Sequence, residues 1–385
     1  MTVIYPIPEF LPDPRARFIQ IANTCYALAK MGIEVTLISG MKRGQSEEVL
    51  GFYGIPKHSK LKIKRLPVLR KEYSRYFRLS WHGVFHIFLL IYLLSWKLNK
   101  KTQTVIFLRH LKLANFVLRF RKVLNIPIVF EVHEIFHLSS LNGEKKEKIK
   151  SLEYEVYNRV DALISISQSI EKYLMRMGIS IKSVHIVRDA VKKEWLDLKR
   201  MPLGSYIVYT GSLYSWKGVD TLISAMRYLP DEKLLIIGSG NRLEELKNMA
   251  NTEGISDRIK FIGSVPHTSI PQYLSQARHA VVPNIPDGPS QFSSPLKLFE
   301  YMAYGIPIVA SNIPSFKEIL TDRRNALLFE PGNPKALAMA IKELADNPEL
   351  AEKLAITARK DVINYTYDKR AEKIFGVIRT LFNGN

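Results

Sequence analysis

The chain carries one cysteine, Cys25, among 385 residues. A lone thiol excludes a disulfide framework and fits a reducing compartment. Its apolar helical surroundings mark Cys25 as a small core residue. Long apolar runs are also missing. A spanning helix needs roughly 20 apolar residues, and the best candidate, Val84 to Trp96, is shorter and has His82 and His86 beside and within it. It is expected as a buried or interfacial helix. The opening Met1-Thr-Val-Ile-Tyr-Pro-Ile-Pro lacks the charged and apolar regions of a secretory signal. Acidic residues are scarce in one half only. Residues 1–200 hold 35 Lys+Arg against 17 Asp+Glu, a net +18, and residues 201–385 hold 21 against 19, a net +2. No RNP motif, zinc-finger spacing or helix-turn-helix signal accompanies that basic excess, so nucleic acid is not an expected partner. An anionic membrane surface or a phosphorylated lipid is.

What is present is a globular composition, 46% hydrophobic and 24% charged, in a chain long enough for two cores. Short β-branched runs alternate with amphipathic stretches. Val3-Ile-Tyr reads as a strand, Pro6 to Pro14 as a proline-rich loop, and Asp13 as the cap of a helix ending at Gly32. Ile33 to Ser39 is the next strand. This βαβ opening implies a parallel sheet with ligand loops at the C-terminal ends of its strands. Arg15 and Arg17 stand where such a loop meets its helix, within reach of an anionic ligand. Residues 57–78 are basic and interleaved with Tyr73, Tyr76 and Phe77, and Trp81, Trp96, Lys97, Lys100 and Lys101 flank the apolar run like membrane-interface anchors. The rhythm breaks over 192–203, which reads as an interdomain linker, and restarts at Tyr206. The domains are therefore expected at 1–192 and 203–366, with a basic amphipathic helix over 367–385.

Three loops of the second half carry chemistry. Gly211-Ser212-Leu-Tyr-Ser-Trp-Lys217 follows a strand, and a lysine there can neutralise a diphosphate as a point charge. Gly238-Ser-Gly240 follows another, but Leu243 stands where the dinucleotide fingerprint needs its third glycine, so nicotinamide chemistry is weakly supported. Finally, Pro286 to Ser293 leads into Ser294-Pro295-Leu296-Lys297-Leu-Phe-Glu300-Tyr-Met-Ala-Tyr-Gly305. Ser294 reads as an N-cap and Pro295 as the first helical residue. The start of this helix offers free N–H groups and the positive end of the dipole, with Lys297 in the first turn, a combination suited to phosphate. Glu300 lies one turn on, where a carboxylate can accept hydrogen bonds from the paired hydroxyls of a ribose.

The first half contains His133-Glu134-Ile-Phe-His137, the spacing of the zincin site, with Glu153 or Glu155 as a nominal third ligand. The zinc motif needs a helix. The residues before His133 read as a buried strand, and Leu138 to Gly143 do not continue a helix. A zinc-dependent hydrolase is thus one alternative, and a non-enzymatic basic protein binding membrane or nucleic acid is another. A histidine ending a parallel strand is also well placed for polar contact with a substrate.

The Gly211–Asp220 segment, Ile-Gly-Ser-Gly240 and the Ser294–Ser311 segment together resemble the family 4 retaining glycosyltransferases. The likeness is strong over roughly 203–365 and weaker over the first half. It implies the GT-B fold, two Rossmann-like domains facing across a cleft. The second domain would bind a UDP- or GDP-sugar and the first an acceptor, lipid-linked or saccharide; the basic first half with its apolar run, and not the resemblance, suggests the cytoplasmic membrane face for it. The C-terminal helix would cross back to the first domain. No metal or other cofactor is required. The resemblance places Lys217 at the donor diphosphate, Glu300 at the ribose, His133 near the reacting sugar and Val265 beside the base, with Gly211, Ser212, Gly238, Gly240 and Ser293 to Lys297 lining the donor. It implies retention of configuration and cell-envelope glycan synthesis. The chain departs from the family pattern in three places, and the first is the N-terminal loop, where Pro12-Asp13-Pro14-Arg15 replaces the family's glycine pair. Phe292 occupies the place of the first motif glutamate, and Ser212 that of a diphosphate arginine, for which Lys297, Arg15, Arg17 or Arg188 are substitutes.

Overall fold

A computed structural model describes residues 1–41, 48–68, 82–99, 102–139, 143–180, 184–198 and 204–383. Tyr73, Tyr76, Phe77, Trp81, Lys100 and Lys101 lie outside the described residues. The chain divides into two compact units. One comprises Met1–Ile166, Ile170–Val187 and Tyr367–Asn385, the other Ser167–Ser169 and Arg188–Thr366.

The first unit is built on a seven-stranded sheet, β1 (Thr2–Phe10), β2 (Glu34–Met41), β3 (Leu61–Pro67), β4 (Thr104–Leu108), β5 (Ile128–Val132), β6 (Ala162–Ser165) and β7 (Val184–Ile186). Its order is β3-β2-β1-β4-β5-β6-β7, and the pairings are parallel. Buried strands such as Ile128-Val-Phe-Glu-Val and Ala162-Leu-Ile-Ser are nearly all apolar because helices cover both faces. β1 is longer than the expected three residues. It continues through Pro6 and Pro8, with an irregularity between Pro6 and Phe10, and stays paired to β2. The following helix, Ala16–Lys30, accordingly starts later than expected: Arg15 is its N-cap, and Asp13 accepts a hydrogen bond from the Arg15 N–H at 2.9 Å.

The second unit repeats the plan with β8 (Tyr206–Thr210), β9 (Leu234–Ile237), β10 (Ile259–Gly263), β11 (Ala277–Val282), β12 (Ile308–Ser311) and β13 (Leu327–Phe329), in the order β10-β9-β8-β11-β12-β13. Alternate strand residues feed two cores. Val208, Ala280, Val282, Ile308 and Ala310 meet the helix Leu296–Tyr304, while Ile207, Tyr209, Val281 and Val309 meet the helices Val219–Ala225 and Pro334–Asp346. In both sheets the winding reverses beside the first strand, and in such sheets ligands bind at the strand ends bordering that reversal. In the second unit that place is the end of β8, where Gly211 follows. The segment expected as a linker is structured in part. Lys193–Asp197 forms a 3-10 turn, and Trp195 is buried in the core of this unit.

Two elements of the first unit bear on function. The helix Gly83–Asn99 buries Phe85, Leu89 and Leu93 and leaves Ile87, Phe88, Ile91 and Leu98 exposed. Among the described residues no helix is long and apolar enough to cross a membrane. The C-terminal helix Tyr367–Thr380 packs on Ala16–Lys30, burying Ala371, Ile374 and Ile378. Its Arg370 donates to Thr24 Oγ1 at 3.1 Å and to the Val187 carbonyl at 2.8 Å, and pairs with Glu131 of β5. Both charges are 1% exposed, and burial pushes the Arg370 guanidinium down to about 9. Removing one partner of such a pair leaves an uncompensated charge in a low-dielectric interior, at a cost of about 3–5 kcal/mol. Arg370→Ala is expected to destabilise the first unit by about that amount in urea unfolding; a loss under about 1 kcal/mol would show that water reaches the pair.

Candidate active site

The loops at the end of β8 and β9 are interlocked through their backbones. The Gly211 N–H donates to the Ile237 carbonyl at 2.8 Å, and the Leu213 N–H to the Ser239 carbonyl at 3.0 Å. Gly238 has φ +143°, and a Cβ there would lie 1.9 Å from the Gly211 carbonyl oxygen, so the two loops approach too closely for any other residue. Gly240 is pressed in the same way against Leu213. Tyr209 supports the first loop from beneath, its hydroxyl donating to the Ser212 carbonyl at 2.8 Å.

The helix Leu296–Tyr304 adjoins this loop, with Lys297 of its first turn beside Gly211. Thr210 N–H donates to the Tyr301 hydroxyl at 2.8 Å, which ties the helix to the end of β8. The N-cap is Pro295, not Ser294, and Leu296 opens the helix. Proline has no side-chain oxygen to cap with, and the buried Ser294 Oγ has no hydrogen-bond partner. The Leu298 N–H is bonded to the Pro295 carbonyl at 2.9 Å. The N–H groups of Leu296 and Lys297 thus remain for another acceptor. Ahead of the helix, Ser290 Oγ donates to the Trp216 carbonyl at 2.9 Å and Ser293 Oγ to the Ser290 carbonyl at 3.0 Å, so the loop carrying Ser293 is braced on the lysine-bearing turn.

Two ammonium groups converge here. Lys297 is 6% exposed, and its Nζ has no hydrogen-bond partner. It sits 3.5 Å from the centroid of the Tyr209 ring and would meet a Cβ on Gly211 at 3.1 Å. Burial holds it well below the usual ammonium range. Lys217 lowers it further, and Glu300 opposes the shift. Lys217 ends the 3-10 turn Ser215–Lys217, not an open loop as expected, with its Nζ 3.7 Å from the centroid of the Trp216 ring. Burial lowers it to about 7. Aromatic faces partly compensate desolvated cations, but an ion pair would do so more strongly, and neither lysine has one among the described residues.

Glu300 is 7% exposed. Its Oε1 accepts from His267 Nε2 at 2.7 Å. The His267 ring stacks on Trp195, with centroids 5.1 Å apart and planes at 18°, and Trp195 packs edgewise on Tyr304. Sequence reasoning missed both residues. His267 lies two positions beyond Val265, which is half-buried against the same core, and no spacing rule connects it with Glu300. Phe292, at the place of the missing glutamate, is buried at 6% exposure.

The other candidate cations are taken. Arg188 of the same unit pairs with Glu318 at 3.1 Å. Arg15 and Arg17 belong to the first unit and pair with Asp13 at 2.6 Å and Glu9 at 3.1 Å. His133 also belongs to the first unit, just beyond the end of β5. Its Nε2 lies 2.8 Å from Glu131 Oε2, off the line of an aligned hydrogen bond. Burial, and secondarily the Arg109 charge, hold the imidazole well below its usual range, so it is neutral.

The zinc reading fails on geometry. His133 follows a strand, and Phe136–Leu138 is a 3-10 turn, so the two histidines do not share a helical face. The His137 ring engages Glu153 through Nδ1 and the Tyr173 hydroxyl at 2.8 Å through Nε2, leaving no nitrogen for a metal. Glu153 also accepts from the Phe136 N–H at 2.7 Å, and Glu155 pairs with Arg159. Among the described residues no cluster of three His, Cys, Asp or Glu could hold a metal ion.

Known proteins match this chain in sequence and in fold. The family described as glycosyl transferases group 1 matches residues 202–361, and glycosyltransferase family 4 matches residues 19–195. An uncharacterized glycosyltransferase of Haemophilus influenzae is 32% identical over 257 residues, covering 64% of this chain and 69% of that one. Among solved structures, sucrose-phosphate synthase of Thermosynechococcus elongatus superposes with a TM-score of 0.80 at 20% identity over the whole of both chains. HepE of Anabaena, in complex with UDP-glucose, gives 0.77 at 15% identity, again over both whole chains. The two sheets of the same strand order and the paired family matches lead to one conclusion: the chain belongs to the family 4 glycosyltransferases and has their GT-B fold.

Proposed function

We propose that the second unit binds a nucleoside-diphosphate sugar and that the first binds a lipid-linked or saccharide acceptor for envelope glycan synthesis. The observation that supports this best is the pair of buried lysines, Lys217 and Lys297, beside a glycine loop and a helix start, neither in an ion pair among the described residues. Two positive charges in a desolvated pocket favour a ligand carrying two negative ones. On this reading Lys297 takes the place of the arginine that Ser212 replaces. Of the four substitutes, Arg15, Arg17 and Arg188 are paired with carboxylates, and Lys297 is paired with none among the described residues. Ser293 to Leu296, Gly211 and Gly238 to Gly240 line the pyrophosphate, Glu300 receives the ribose, and Val265 borders a uracil or guanine.

The reaction is read as transfer of the sugar to an acceptor hydroxyl. As the bond from the anomeric carbon to the diphosphate breaks, negative charge grows on the leaving oxygen. Lys217, Lys297 and the free N–H groups of the helix stabilise it there, which lowers the barrier because the charge is larger in the transition state than in the substrate. The neutral His133 is assigned to a hydroxyl of the transferred sugar. Retention of configuration is adopted from the family resemblance.

The acceptor is read as membrane-bound, at the inner face of the cell membrane. Support comes from the net +18 over residues 1–200 and from the exposed Ile87, Phe88, Ile91 and Leu98. Lys62 and Lys64 of β3 are exposed, and Lys64 lies over the ring of Tyr92 on the same helix. A basic surface beside an apolar helix face suits an anionic bilayer.

Three outcomes test this reading. Lys217→Ala and Lys297→Ala are each expected to lower the turnover of a nucleotide sugar by roughly 10²–10³-fold with the melting profile retained; full activity in either variant removes that lysine from the site. The second concerns protons. Lys217 titrates near 7 in the free protein and is returned to its charged form by a bound diphosphate. At about pH 8, UDP or GDP binding is therefore expected to take up a proton, and the affinity falls as pH rises above 7. Calorimetry in buffers of different ionisation enthalpy measures the uptake, and a value of zero contradicts the assignment. Third, flotation with vesicles rich in anionic lipid should carry the protein at low salt and release it at high salt. Absence of binding at low salt eliminates the membrane reading.

A further inference from the structure

We infer that His267 is a positioning residue that holds Glu300 in register for the ribose, with Trp195 as its backing. The inference rests on the reading of Glu300 as the ribose carboxylate. The geometry gives the two oxygens of Glu300 different situations. Oε1 accepts from His267 Nε2 at 2.7 Å, and Oε2 makes no hydrogen bond among the described residues. A glutamate side chain has three rotatable bonds, and ordering it costs entropy. A hydrogen bond from a ring that is itself fixed meets that cost before any ligand arrives, so the remaining acceptor sites meet the ribose already aimed.

The ring is fixed on its flat face. Trp195 stacks on it at 5.1 Å and 18°, and Trp195 is held in turn by the edge of Tyr304, the last residue of the helix that carries Glu300. Both ends of the Glu300–His267–Trp195 chain therefore refer to one helix, Leu296–Tyr304. Trp195 reaches it from the 3-10 turn Lys193–Asp197, and His267 from the 3-10 turn His267–Ser269 after β10. The consequence is one of specificity. A carboxylate held in place discriminates a ribose from a deoxyribose, because a missing hydroxyl leaves a buried acceptor unpaired. A carboxylate free to turn away loses that discrimination while the lysine contacts to the diphosphate persist.

The test uses dissociation constants of UDP and 2′-deoxy-UDP, and of GDP and 2′-deoxy-GDP, for the full chain. His267→Phe keeps the stack on Trp195 and loses the N–H. It is expected to weaken the preferred ribonucleotide about tenfold, to leave its deoxy form nearly unchanged, and so to shrink the ribose preference by about the same factor. His267→Gln, whose amide N–H reaches a similar point, is expected to restore the preference. A merely structural role would weaken both forms equally, or neither, and either result in His267→Phe overturns the inference. Glu300→Ala separates the two readings. If it abolishes the preference and His267→Phe does not, only the inference about His267 falls. If Glu300→Ala retains the preference, or the unaltered protein shows none, the ribose reading itself falls. Should His267→Phe fail to fold, His267→Ala with Gln as its rescue carries the same comparison.

Discussion

Two ammonium groups buried near enough for Lys217 to lower the proton affinity of Lys297 are the constraint on which this molecule turns. Taking a charge from water into a protein interior costs several kcal/mol even after relaxation. Folding normally meets that cost with a carboxylate, as it does for Arg188 and Arg370. At Lys217 and Lys297 it does not, among the described residues. The aromatic faces of Trp216 and Tyr209 meet part of the cost, and the depressed proton affinity of both lysines records the remainder. A site held in this condition gains most from a ligand of high negative charge density, and the free N–H groups of the neighbouring helix add to that gain.

Everything around the lysines serves to keep them there. Gly211 and Gly238 bring two loops into backbone contact, which leaves no room for a side chain that could screen Lys297. Tyr301 ties the helix to the end of β8, and Ser290 ties the loop before the helix to the turn that carries Lys217. The apolar face of the same helix, with Leu298, Phe299 and Met302, is sunk into the core. The site is thus tied to the sheet and to the lysine-bearing turn through the two hydrogen bonds of Tyr301 and Ser290.

The first unit shows the opposite solution to buried charge. Glu131, Arg370 and His133 lie together near the end of β5, and the acid and the base neutralise one another. His133 stays neutral in consequence of burial and of the Arg109 charge. The carboxylate comes from the middle of the chain and the guanidinium from its last helix, so the fold of this unit is complete only when the C-terminal residues have docked. His137 has its Nδ1 against Glu153 and its Nε2 against the Tyr173 hydroxyl, which is why a spacing that resembles a zinc site carries no metal-binding geometry.

Much of this was legible in the linear chain, because its causes are local. Strand and helix alternation, the glycines after β8 and β9, and the Pro295-Leu-Lys segment follow from periodicity and backbone conformation within a few residues. Those rules sufficed for two parallel α/β units, for Lys217 shortly after β8 and for Lys297 and Glu300 on one helix. Local rules erred where a neighbouring strand intervened: β1 runs on through Pro6 because β2 pairs with it, and Pro295 displaces Ser294 as the cap because the chain enters the helix one residue later. What only the tertiary structure decided was which charges find partners. Arg15, Arg17 and Arg188 are claimed by carboxylates and Lys297 is not, and Glu300 meets His267 across 33 positions. Charge pairing depends on distance in space at a few ångströms, and a sequence records no such distance between residues on different strands.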